Sequence, residues 1–171
     1  NGNRGKTYGL PHFAKAEFSS QFPFATVKLT DRKMPLQVEL TGWSPFVPGD
    51  SYNSSLPVAA VEVRFVNTSK KAIDAVYSFH SGQWLYNNDA KADHVERGEN
   101  GFVLVQAGYA EKPWLKGAFM AAVDDANTKI NCQWFRGGWF DPGTMAWKAI
   151  ASGEMPDTQA YTEGTPSPGG S

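Results

Sequence analysis

Ala25-Thr26-Val27-Lys28-Leu29-Thr30 and Leu36-Gln37-Val38-Glu39-Leu40-Thr41, joined by Asp31-Arg32-Lys33-Met34-Pro35, decide the fold class. In each run an aliphatic side chain alternates with a polar one. A period of two puts all the aliphatics on one face of an extended chain and all the polar groups on the other. The five intervening residues are turn formers, so the two runs predict a hairpin. Outward from this pair the same alternation recurs. Val61, Val63 and Phe65 oppose Glu62 and Arg64, and Ile73, Ala75, Tyr77 and Phe79 oppose Asp74 and Ser78. The polar stretch Asn67-Thr68-Ser69-Lys70-Lys71 between them predicts a second hairpin.

Further along, residues 87–100 are polar and read as a surface excursion. Phe102-Val103-Leu104-Val105 and Ala118-Phe119-Met120-Ala121-Ala122-Val123 are apolar on both faces and read as central strands. Residues 128–135 read as one more strand, with Ile130, Cys132 and Trp134 on one face. One helix is predicted at 142–151. Asp141 can cap it and Pro142 suits its first position. Met145 with Ala149, and Ala146 with Ile150, then share a face, and Gly153 can end it. Residues 1–17 read as an irregular lead-in, and 152–171 as a Gly/Pro/Ser-rich loop or linker. The expectation is an all-β chain: an antiparallel β-sandwich over 18–151, incomplete at its C-terminal end, with one short helix near 142–151. A closed barrel is the alternative.

Bulk properties narrow the function classes. The chain has 171 residues, enough for one domain with a substantial core. It is 41% hydrophobic and 19% charged, which excludes disorder of the whole chain. The formal net charge is −1, and no run of like charges forms the basic patch that nucleic acid or an anionic membrane surface needs. No apolar stretch approaches the about 20 residues of a membrane span. The chain begins at Asn1 without the charged and apolar regions of a signal peptide, so it carries no readable address. Cys132 is the one cysteine, which rules out an internal disulfide and a cysteine-clustered metal site. It reads as a buried thiol. His12, His80 and His94 have no metal-ligand spacing, so neither a metal nor a cofactor is expected.

The order and spacing of several short words carry a resemblance. They are Phe22-Pro23-Phe24-Ala25-Thr26-Val27, Pro35-Leu36-Gln37-Val38-Glu39-Leu40-Thr41 and Trp43-Ser44-Pro45-Phe46-Val47-Pro48-Gly49-Asp50. Asn53-Ser54-Ser55-Leu56-Pro57-Val58, Glu62-Val63-Arg64-Phe65 and Asn67-Thr68 follow. Over about residues 18–80 the chain resembles the N-terminal domain of glycoside hydrolase family 116, the family of β-glucosidases and non-lysosomal glucosylceramidases. The resemblance implies a β-sandwich that braces a separate, C-terminal helical domain of the same polypeptide. It implies that this partner domain carries the catalytic carboxylates of a retaining β-glycosidase acting on a carbohydrate or glycolipid substrate. No catalytic residue is carried over to this chain. The shared words also have a structural reading: Pro45, Pro48 and Gly49 fix a bend that folds Trp43 and Phe46 back onto the core. Asn53 and Asn67 head glycosylation-type triplets and also suit turns.

Seventeen acidic residues are enough that some pair will meet any distance rule for a glycosidase. Most of them fall on wet faces or loops, so no catalytic pair is expected. The stretch Trp134-Phe135-Arg136-Gly137-Gly138-Trp139-Phe140-Asp141 is the best candidate for substrate contact. Sugar rings stack their C–H faces on aromatic planes while their hydroxyls seek Asp, Asn and Arg, so Trp139, Arg136 and Asp141 form the candidate group. Trp84 and Trp147 are added as further aromatic contacts. The plainer reading places Trp134 and Phe140 in the core and Trp139 over the helix start. Function therefore divides between a non-catalytic module of a family 116-like enzyme, a stand-alone carbohydrate-binding module, and a purely structural domain.

Overall fold

The computed structural model describes residues 11–82, 93–108, 110–133 and 142–160. It is all-β and antiparallel, with two sheets and little helix. The described chain divides into two compact units, one of Pro11–Phe79 and one built from His80 onward.

The first unit is a four-stranded meander in the order β1-β2-β3-β4. Its strands are β1 (Lys15–Gln21), β2 (Phe24–Thr30), β3 (Leu36–Trp43) and β4 (Ala60–Asn67). The register pairs Phe18 with Val27, Val27 with Leu40 and Leu40 with Val63. Because pairing keeps opposed residues on one face, Phe18, Val27, Leu29, Val38, Leu40, Val63 and Phe65 share one side of the sheet. Val38, on an inner strand, is the buried centre of that side. The opposite side carries the row Glu17, Lys28, Glu39 and Arg64, whose charges alternate strand by strand. Opposite charges set directly across from one another support the register, and a one-residue slip would drive this row into the apolar side. The predicted 25–41 hairpin is present. Its turn is held by the Asp31 carboxylate, which accepts from the backbone of Lys33 at 2.8 Å and of Ala14 at 3.2 Å.

Three expectations for this unit need correction. β1 begins inside the expected lead-in; Phe18 is its one large apolar residue and all its positions are exposed, so no apolar alternation announced it. The segment 73–79 is not a strand beside β4. β4 pairs along its whole length with β3 instead, from Leu36 opposite Asn67 to Trp43 opposite Ala60. The polar turn does form, with Asn67 accepting from Ser69 and donating to the carbonyl of Lys71. Beyond it Val76, Tyr77 and Phe79 stay about half exposed. Alternation reports an amphipathic extended chain, not the presence of a strand to pair with. Phe46 does not return to the core; it is 48% exposed and meets Phe22 edge-on. A one-turn helix, α1 (Ser51–Ser54), follows the bend, capped by Asp50, whose side chain accepts from the Asn53 backbone at 3.0 Å.

The second unit holds β5 (His94–Arg97), β6 (Gly101–Gln106) and β7 (Gly117–Ala122), in that order in the sheet. β6 is central, as its two apolar faces predicted, and Leu104 and Gln106 on it are buried, but β7, expected to be central too, lies at the edge of the described sheet with alternate side chains such as Met120 exposed. β5 lies within the stretch 87–100 that reads as a loop. Its wet positions His94 and Glu96 bond to each other at 3.0 Å, while Val95 and Arg97 turn inward, so an arginine supplies the inward position that an apolar pattern would have shown. The expected strand at 128–135 is also absent from its described part. There Ile130 and Cys132 are buried, but side chains of a later segment satisfy their amides, and one bridge, Asn131 to Thr158, stands where a ladder was expected.

Helix α2 (Pro142–Ala151) matches the prediction. Met145, Ala146, Ala149 and Ile150 are its less exposed positions, and Trp147 and Lys148 its outward ones. Its end is a Schellman motif: Glu154 N–H donates to Ala149 at 2.9 Å and Gly153 N–H to Ile150 at 3.0 Å, with Gly153 at φ +84°. A side chain at that φ crowds its own backbone. Gly153→Ala should therefore lower stability by about 1 kcal/mol, read as a shift in the urea midpoint at constant slope.

Candidate functional site

Of the expected contact residues, Trp84, Arg136, Trp139 and Asp141 lie outside the described residues. Trp147 is described. It sits on the outward side of α2 and is 40% exposed, so it can offer a ring to a ligand. Trp114, in the 3-10 turn Pro113–Leu115 between β6 and β7, is more exposed at 73%. Its place in the polar stretch Glu111-Lys112-Pro113 hid it from a search for aromatic clusters.

The approach to the aromatic stretch 134–141 is fixed by Arg97. Its guanidinium donates to the carbonyls of Ile130 at 2.6 Å and Thr158 at 2.8 Å, and to the Asp157 carboxylate at 2.6 Å. The same carboxylate accepts from the Ile130 backbone at 3.1 Å, and Thr158 Oγ1 accepts from the Cys132 backbone at 3.1 Å. Gln133 adds a bond from its amide to the Gln159 carbonyl at 2.8 Å. A planar fork suits this duty, since one charged group satisfies two carbonyls and a carboxylate at once. The segments 130–133 and 157–159 are thus tied to each other and to β5.

The Ile130 amide, and then the Arg97 guanidinium, hold the Asp157 carboxyl below the usual aspartate value of 3.8. A carboxylate depressed in the folded state stabilises that state above the unfolded value and loses the contribution as pH falls through the folded one. Stability should therefore fall on acidification below about pH 4, and Asp157→Asn should flatten that dependence. Urea midpoints measured between pH 2 and 6 check it. Burial pushes the Cys132 thiol up, so it stays protonated and is a poor nucleophile, as a buried apolar thiol should be. Among the described residues no three His, Cys, Asp or Glu side chains converge on a point a metal could occupy.

A second grouping lies at one end of the first sheet. Phe24 and Trp43 are paired across β2 and β3 with ring centroids 5.9 Å apart, tilted by 51°. Both stand on the polar side of the sheet, beyond the hydroxyl pair of Thr26 and Thr41, which are bonded at 3.2 Å. Phe22, in the turn between β1 and β2, meets Phe46 with centroids 4.8 Å apart. Phe46 also walls a shallow depression of about 280 Å³, floored by Val47, Gly49, Asp50, Ser51 and Ser54. Tyr52 stands nearby in sequence and is 80% exposed. The signal was in the sequence: extending the alternation of Thr26, Lys28 and Thr30 back by two residues puts Phe24 on the wet side, and extending that of Glu39 and Thr41 forward puts Trp43 there.

The described residues thus form two antiparallel sheets that carry exposed aromatic side chains. The chain belongs to the family described as beta-glucosidase 2, glycosyl-hydrolase family 116 N-term, which it matches over residues 3–169. No curated protein matches it.

Proposed function

We propose that this chain is the non-catalytic N-terminal β-sandwich module of a family 116-like β-glucosidase, bracing a helical catalytic domain of the same polypeptide. The match to the N-terminal family across nearly the whole sequence carries this reading. The structural engagement of Asp50 and Asp157 supports it, because their carboxylates are committed to holding backbone amides rather than to chemistry. In the retaining hydrolysis of a β-glucoside or lipid-linked sugar, Trp139, Arg136 and Asp141 are the module's proposed substrate contacts. Reading the coding sequence after Ser171 tests the partnership. An encoded helical domain with paired acidic motifs is expected, and a stop codon directly after Ser171 in a gene whose product cleaves glucosides contradicts it.

The second reading is a stand-alone carbohydrate-binding module. The outward Trp147 is the observation in its favour.

A further inference from the structure

We infer that the aromatic end of the first sheet, centred on Phe24 and Trp43, is a binding platform for a neutral oligosaccharide. Phe24 and Trp43 stand on the side of the sheet that carries the charged row, Phe24 exposed and Trp43 half-buried, and large aromatic side chains set among polar neighbours and reached by solvent are an informative observation. Phe24 is 48% exposed, Phe22 75% and Phe46 48%, and all three lie at the same end of one sheet. The rows are graded along the sheet. Gln21, Phe24, Trp43 and Ala60 come first, Ser19, Thr26, Thr41 and Glu62 next, and then the fully charged row Glu17, Lys28, Glu39 and Arg64.

That gradation matches a pyranose chain. Its C–H faces need flat apolar rings, its hydroxyls need donors and acceptors such as the threonine hydroxyls and the Glu62 carboxylate, and it carries no charge for the distal row to pair with. Phe24 and Trp43 are offset by about the width of one sugar ring, and their tilt suits a chain that twists from residue to residue. The neighbouring depression, at about 280 Å³, is just below the usual range for small-molecule pockets and is the size for one further sugar unit. A protein partner is less well matched, because the rings are separated by a tilt rather than joined in a flat apolar face.

The inference stands apart from the bracing role. Loss of one leaves the other intact, since binding by the chain needs no attached catalytic domain and family membership needs no binding. The test is an NMR titration of the chain with cellohexaose and with maltohexaose, repeated at two protein concentrations. Shifts confined to Phe24, Thr26, Thr41, Trp43 and their neighbours are expected, with a dissociation constant in the millimolar range. Phe24→Ala and Trp43→Ala should each weaken binding about tenfold, Trp43→Phe should recover part of it, and Phe18→Ala should change nothing. Phe18 is the matched control, being 70% exposed on the opposite side of the same sheet. The inference is overturned if neither sugar shifts these resonances in the unsubstituted chain, or if binding is lost with Trp147→Ala and kept with Trp43→Ala. Shifts that follow protein concentration and not sugar would assign the patch to self-association and overturn it equally.

Discussion

Gly101→Ala should be the most damaging single substitution in the second unit, lowering stability by at least about 3 kcal/mol. Gly101 is buried at the start of β6, opposite Ala122 of β7. A Cβ added there falls 2.0 Å from the carbonyl oxygen of Ala121 and 2.7 Å from the Ala122 Cα. Both are backbone atoms of a paired strand, so no side-chain rotation relieves the overlap. The strands must separate, and the ladder from Gly101–Ala122 to Gln106–Gly117 is what they would lose. The turn into β6 goes with it, since the Gly101 carbonyl accepts from Gly98 at 2.8 Å. Gly82→Ala is the internal control, because a Cβ there meets nothing within 4 Å. Urea unfolding of the two variants should show a large drop in midpoint for the first and almost none for the second.

Arg97→Met should come next. Methionine keeps the apolar stem and removes the guanidinium, leaving the carbonyls of Ile130 and Thr158 without their donor. Loss of these two charge-assisted bonds from a partly buried site costs about 3 kcal/mol. The effect should be local as well as global. The Ile130 and Cys132 amides are held by the Asp157 and Thr158 side chains that Arg97 positions, so their hydrogen exchange should accelerate most. Arg97→Lys should recover only part of the loss, since an ammonium cannot span two carbonyls and a carboxylate in one plane. Unchanged exchange at Ile130 in Arg97→Met would show that the segment is held by something other than this anchor.

The sequence was legible where one side of a strand is buried and the other wet. The 25–41 hairpin, β4, the two apolar strands β6 and β7, and the amphipathic α2 with its glycine stop were all readable from periodicity and capping. What was not readable has physical causes. β1 is an edge strand whose residues, Phe18 apart, are small, polar or charged, and edges are kept polar to discourage foreign pairing. β5 was hidden because its inward position is Arg97, whose burial is compensated by three partners far away in sequence. Residues 73–79 and 128–133 carry strand patterns without strand partners, and pairing is a long-range fact that a local pattern does not contain. The proposed contact residues were chosen for aromatic density in 134–141. The Phe24–Trp43 platform was missed because each residue is unremarkable in its own strand. Only the register of β2 against β3 brings them together.

On the proposed function, this family 116 N-terminal module supports chemistry done elsewhere in its polypeptide. The most direct test is turnover of an aryl β-glucoside by the purified chain of residues 1–171. No hydrolysis above the buffer rate is predicted. Clear turnover, abolished by replacing one acidic residue of the chain with its amide, would contradict the claim.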